Sequence, residues 1–391
     1  MDTYHFETAL LEDGWRQDVL VRIDGSTIAE VQPGVPLPVG AARLHRIAIP
    51  GMANVHSHAF QRAMAGLVER RGPEEDSFWT WRDVMYRFLA AMSPDDVEAV
   101  AAWLYVEMLE AGFTCVGEFH YVHHAADGTP YADVGEMAGR IVQAAASTGI
   151  GLTLLPTFYA HGGCGGAAPK PGQRRFLNDV DRFLALADSA RRHLAGLEEG
   201  QGVLGIAPHS IRAVAPDELQ ALLAAFPQGP VHMHAAEQTA EVEECRAWSG
   251  RRPVEWLLAN AGVDARWCLI HATHMTAEEI TGLAARGAVA GLCPITEANL
   301  GDGIFNAPDY FMQRGRWGGL IRGLARPLAR LPRPTVPALA RLAPNVDRRY
   351  PRHRSRQRNG RIPSTNPETT VPALLPQPDP DGLLEYSVVY T

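Results

Sequence analysis

From residue 47 onward one rhythm recurs: a short apolar run ending in polar or histidine residues, then a stretch of helical length with one apolar face. The strand-like runs are 47–54, 114–119, 151–158, 203–208, 230–234, 267–271 and 288–293. Between the first two, residues 94–111 show the helical pattern, with Val97, Val100, Ala101, Leu104 and Met108 on one face. Ser93 supplies an N-cap, Pro94 suits the first helical position, and Gly112 ends the helix. Strands alternating with helices specify a parallel α/β fold. Seven such units, each with polar residues at the strand's C-terminal end, fit a (β/α)8 barrel of the TIM type with its site at that end. An open doubly wound sheet is the competitor, but no GxGxxG follows the first strand.

Residues 1–50 read as short strands: Val19, Val21 and Ile23 alternate with less apolar neighbours, Asp24-Gly25 signals a turn, and alternation resumes over 28–31. At the other end the rhythm stops near Gly318, and no run supplies an eighth strand. Twelve prolines fall between Pro327 and Pro380, which excludes long helices and central strands there. Residues 316–391 hold thirteen arginines and five acids, a charge of +8 that leaves −16 for residues 1–315. The chain therefore divides into 1–50, a barrel over 51–317 and an aberrant, disordered Arg/Pro-rich tail over 318–391. The formal charge of −8 overall gives no footing for nucleic acid or an anionic membrane, and no apolar run reaches the length of a membrane span. Five scattered cysteines without a CxxC pair fit reduced thiols in the cytoplasm.

The strongest chemical signal is the segment 50–58, with His56 and His58 two apart at a strand end. Positions i and i+2 of a strand share a face, so both imidazoles can converge on one metal ion. Further histidines end later strands: His232 and His234, followed by Glu237, and then His271 with His274 just past it. A barrel gathers strand ends around one pocket. His232 faces inward with His234, and His274 reads as structural. The glycine-rich stretch 162–166 lacks the lysine of a phosphate loop and reads as a loop over the pocket.

The order PGxxNxHxH, HxHxxE and a strand ending in His resembles the single-metal deaminases of the amidohydrolase superfamily. Segments 58–67, 79–82, 117–123, 207–212 and 293–303 are similar to those of its formiminoglutamate deiminase family, and the resemblance covers residues 1 to about 317. It implies a small N-terminal β-sandwich beside the barrel, one zinc ion on His56, His58 and His234, and proton transfer by Glu237 and His271. It also implies hydrolysis of N-formimino-L-glutamate to N-formyl-L-glutamate and ammonia, in histidine degradation, by an enzyme that can form a homodimer. A dianionic substrate calls for cationic forks, which Arg82 and Arg212 supply, while Gln61, Tyr121 and His209 would orient it by hydrogen bonds. Taken alone, Arg82 also fits a surface ion pair, and Trp79 and Trp81 fit packing. A purine-type deaminase of the same superfamily and a catalytically dead metal-binding remnant are the alternatives.

The resemblance fails at one place. Family members carry an Asp-containing segment at the end of strand 8 that binds the metal, whereas residues 319–323 here are Gly-Leu-Ile-Arg-Gly, and the next aspartate is Asp347. The abrupt change, the Arg/Pro composition and the charge reversal point to a reading-frame change near codon 318, with a genuine divergent tail as the alternative. Either way, the expectation is impaired activity.

Overall fold

The computed structural model describes residues 2–25, 27–39, 42–43, 47–65 and 78–319. Strands β1 (Asp2–Leu11) and β2 (Gly14–Asp24) pair antiparallel from Asp2↔Ile23 to Leu11↔Gly14. Gly25, at φ 61°, takes the left-handed conformation that the Asp-Gly signal calls for and leads into β3 (Thr27–Gln32). Two short strands, β4 (Ala42–Arg43) and β5 (Ile47–Ala48), lie parallel to β1. Among the described residues this region is a single five-stranded sheet, not a two-layered sandwich. The expected disordered tail falls, after Gly319, outside the described residues.

The barrel strands are β6 (Met52–Ser57), β7 (Phe113–His120), β8 (Gly151–Phe158), the pair β9 (Gly202–Leu204) and β10 (Ala207–Pro208), β11 (Val231–Ala235), β12 (Trp267–His271), β13 (Val289–Leu292) and β14 (Arg316–Gly319). Neighbouring strands pair parallel from β6 to β10 and from β11 to β14. Bridges Ile206↔Val231 and Ser210↔His234 join the two halves. The helices are α1 (Phe78–Leu89), α2 (Pro94–Glu110), α3 (Glu136–Thr148), α4 (Val180–Leu194), α5 (Pro216–Ala225), α6 (Thr239–Ser249), α7 (Pro253–Asn260), α8 (Ala277–Ala285), α9 (Pro294–Leu300) and α10 (Ala307–Met312). None of the described helices is long and apolar enough to cross a membrane.

Local chemistry explains the elements. Ser93 caps α2 through a full capping box with Asp96, and Pro94 occupies the first helical position. The buried face of α2 is Val97, Ala101, Leu104, Tyr105 and Met108, which packs against β7 and α3. β8 is buried along almost its whole length, as expected for a parallel strand covered on both sides.

Contrary to the expectation from the sequence, an eighth strand is present. Arg316–Gly319 pairs with β13 from Val289↔Arg316 to Leu292↔Gly319. On its other side it meets β6: a Cβ on Gly318 would lie 2.4 Å from a methyl carbon of Val55. Only a residue without a side chain permits that approach. The four residues, Arg-Trp-Gly-Gly, have neither alternation nor β-branching, so strand propensity does not reveal them. Their conformation comes from the neighbours they close against.

Candidate metal-centred active site

His56 and Ser57 end β6, and His58 follows at once, so the two imidazoles leave the same face of the strand. His234 comes from β11 on the facing half of the barrel. Its Nε2 lies 3.2 Å from Nε2 of His56. His58 Nδ1 contacts the Phe119 carbonyl at 2.8 Å, and His234 Nδ1 the His209 carbonyl at 3.1 Å. A carbonyl can only accept, so both Nδ1 atoms carry the proton and both Nε2 atoms present a lone pair. That tautomer is the one a metal-ligating histidine needs. Burial, reinforced by His209, His56 and His58, holds the His234 imidazole well below its ordinary pKa and hence neutral. Ligand atoms of the three residues lie within 4.8 Å of one another. Three imidazoles with facing lone pairs fit a divalent cation.

His271 ends β12 with φ 70°, a left-handed conformation, and Ala272 and Ala236 beside it are at 49° and 51°. Such strain in residues with side chains is held only by surrounding structure and gathers at functional sites. His271 Nε2 is 3.4 Å from a Glu237 oxygen, and its Nδ1 is 3.2 Å from Glu297. Burial would depress the His271 pKa, but Glu237, Cys293 and Glu297 carry it well above its ordinary value. The imidazole is therefore held protonated between two carboxylates.

The ten residues assigned metal-binding, catalytic or substrate-binding roles from the sequence line one cavity: His56, His58, His234, Glu237, His271, Gln61, Arg82, Tyr121, His209 and Arg212. Arg212 is buried, with Nη2 3.9 Å from Glu237 and 4.0 Å from Glu241. Burial opposes its charge, but the two glutamates more than offset that and keep the guanidinium charged. Its Nε is buried with no hydrogen-bond partner among the described residues, leaving one donor of the fork to spare. Gln61 donates to Tyr121 Oη at 3.0 Å, and its own carbonyl oxygen is buried without a partner among the described residues. Arg82 reaches the cavity from α1, its guanidinium 5.8 Å from the Tyr86 ring, which excludes a purely surface role. Trp81 both lines the cavity and packs on the core. Buried Arg175 donates to the carbonyls of Leu89, Met92 and His124, tying the end of α1 to the loop that follows Tyr121.

His232 shares its strand face with His234 but sits one layer deeper, next to Gly117, and does not line the cavity. Burial pushes it down to about 4. His274 is structural, bonded to the Asp302 carbonyl at 2.7 Å. The glycine-rich loop does not line the cavity; it packs on α6, where the Cys164 amide donates to Glu244 at 2.7 Å.

Several further residues of the site lie within segments 117–123 and 293–303, where the resemblance assigns them no individual role. Glu297 and Cys293 lie one helical turn apart, on one face at the start of α9, and both reach His271. Beyond the family likeness of segment 293–303, that i, i+4 spacing at a helix start after a strand is the signal the sequence offers for them. Asp302 is raised to about 7 by burial and by Glu237, and Gln238 donates to it. Glu118, wholly buried on β7, accepts from the Ala59 amide at 2.7 Å and from Tyr105 at 3.3 Å. Burial pushes it up to about 7 against those bonds.

Known proteins resemble this chain in sequence and fold. Residues 47–315 match the model of the amidohydrolase family. The formimidoylglutamate deiminase of Pseudomonas aeruginosa is 52% identical over 320 residues, which is 81% of this chain and 70% of that protein. The crystal structure of an amidohydrolase from Brucella melitensis superposes with a TM-score of 0.78 at 56% identity, covering 82% of this chain and 71% of that one. An adenosine deaminase from Xanthomonas campestris with bound zinc shares the fold alone, at 19% identity and a TM-score of 0.62 over 81% of this chain and 68% of that one. With the family model spanning most of its length and the histidine-lined mouth in place, the chain belongs to the metal-dependent amidohydrolase family.

Proposed function

We propose that this chain hydrolyses N-formimino-L-glutamate to N-formyl-L-glutamate and ammonia, the deimination step of histidine degradation, with one zinc ion. The observation that carries the reading is one cavity in which three histidines and the Glu237–His271 pair face two arginines. The 52% identity to the Pseudomonas deiminase supports the same substrate. The catalytic barrel spans 51–317 in this reading, and reduced cysteines fit a cytoplasmic enzyme.

His56, His58 and His234 would hold the ion, which when bound supplies Lewis acidity and makes water a competent nucleophile near neutral pH. Arg212 and Arg82 bind the two carboxylates of the glutamate arm. Gln61, Tyr121 and His209 orient the formimino group. Glu237 takes a proton from the attacking water and returns it to the departing nitrogen, so ammonia leaves as the C–N bond breaks. His271, charged beside Glu237, keeps that carboxylate oriented and relays the second proton.

The test is ammonia release by the zinc-loaded chain from N-formimino-L-glutamate and, separately, from guanine. Release from the amidine alone is expected. Turnover of guanine without turnover of the amidine would move the chain to the purine-deaminase reading.

A further inference from the structure

His271 turns its two ring nitrogens to different partners, and the second set forms a donor cluster of its own. Ligand atoms of His271, Cys293 and Glu297 lie within 4.8 Å of one another. The three residues are 3%, 1% and 4% exposed. One oxygen of Glu297 receives both His271 Nδ1, at 3.2 Å, and the Cys293 amide, at 3.0 Å. Cys293 is among the residues that line the cavity.

The local charge points the same way. Glu237 stands 3.4 Å from the other nitrogen of His271. Asp302, 5% exposed, has an oxygen buried without a partner among the described residues. Three buried carboxylates and a thiol thus surround a single imidazole, with Arg212 as a more distant cation at 3.9 Å from Glu237. Together these side chains offer sulfur, nitrogen and oxygen donors to a cation. Sulfur, imidazole and carboxylate together select zinc or cadmium over magnesium or calcium.

We propose that His271, Cys293 and Glu297 form a second cation site, distinct from the three-histidine centre, and that a thiophilic divalent ion bound there inhibits the enzyme. Binding releases the thiol proton and the Nδ1 proton of His271 to solvent, and three coordinate bonds replace the hydrogen bonds to Glu297. The ring is then fixed as a ligand and no longer exchanges protons beside Glu237. The inhibitory half rests on the proposed deimination; the binding half does not.

Cadmium is the probe, because a cadmium–thiolate bond absorbs in the ultraviolet and cadmium on histidines alone does not. Titration of the metal-free chain is expected to show two ions bound, the thiolate band accompanying only one. Cys293→Ser should lose the band and weaken that ion by about a hundredfold or more, while the Cys164→Ser, Cys245→Ser double variant keeps it. Retention of the other ion by Cys293→Ser verifies its fold. In the unaltered chain, cadmium should also protect Cys293 from alkylation, read by peptide mass mapping. A band that survives in Cys293→Ser, or no protection of Cys293, overturns the site. Excess zinc should depress turnover in the unaltered chain and not in Cys293→Ser, each relative to its own rate. A bound second ion with turnover undiminished overturns the inhibition alone. Absence of turnover under every condition counts against the deiminase reading and leaves the binding result standing.

Discussion

The Nε2 atoms of His56 and His234 face each other at 3.2 Å, although the two residues come from opposite halves of the barrel. With the His234 proton on Nδ1, its lone pair points at the neighbouring ring, an arrangement that a shared cation stabilises. Replacing His234 by Ala should weaken metal binding at least about a hundredfold. Metal content after dialysis against a weak chelator, measured by atomic emission, checks this. A stoichiometric ion retained by His234→Ala would refute the three-histidine centre.

Arg212 is the better placed of the two cationic forks, buried and held charged by Glu237 and Glu241. Arg212→Lys keeps the charge and loses the planar fork. In the proposed reaction KM should rise by about 10–100-fold, with a smaller fall in kcat, because the group acts on a part of the substrate remote from the reacting carbon. A fall in kcat with KM unchanged would instead place Arg212 in the chemistry.

His234 is legible from periodicity, whereas Arg212 is legible only through the family resemblance and the dianionic substrate that it implies. His56 and His58 announce themselves through the i, i+2 spacing, and strand ends meet in a barrel whatever their separation in sequence. Seven of the eight strands and the helix 94–110 are likewise legible, the helix because Ser93, Asp96 and Pro94 write its start. β14 is not legible, since Gly318 fits against Val55 by having no side chain and carries no pattern of its own. Glu297 and Glu118 escape for a related reason. A carboxylate becomes part of a site through burial and through the partner it meets across the fold, and neither quantity is local.

Glu118 makes stability depend on pH in an unusual direction. Its carboxyl titrates near 4.5 when unfolded and is pushed up to about 7 in the fold. Between those values the folded chain holds a proton that the unfolded chain has released, so stability from this group is greatest below the unfolded value and declines as pH rises, levelling off above about 7. The difference is on the order of 3 kcal/mol. Glu118→Gln keeps an acceptor for the Ala59 amide and removes the titration. Urea unfolding of the metal-free chain should show the variant gaining on the parent between about pH 4.5 and about pH 7. A stability difference that does not change with pH would show that Glu118 is not the titrating group.

Arg316–Gly319 closes the barrel against β6, so the chain has the wall on which the family resemblance places a metal-binding aspartate. The next residues in the sequence, Leu320-Ile321-Arg322-Gly323, offer no carboxylate. Three histidines suffice to hold zinc. What they lack is one negative charge and one proton acceptor beside the nucleophile, a task then left to Glu237, whose carboxylate is already engaged by His271. Turnover of N-formimino-L-glutamate should accordingly be at least about a thousandfold below that of the Pseudomonas deiminase under matched conditions, a barrier higher by about 4 kcal/mol. Metal content should remain close to stoichiometric. Turnover comparable to the relative's would mean that Glu237 and His271 carry the proton traffic unaided.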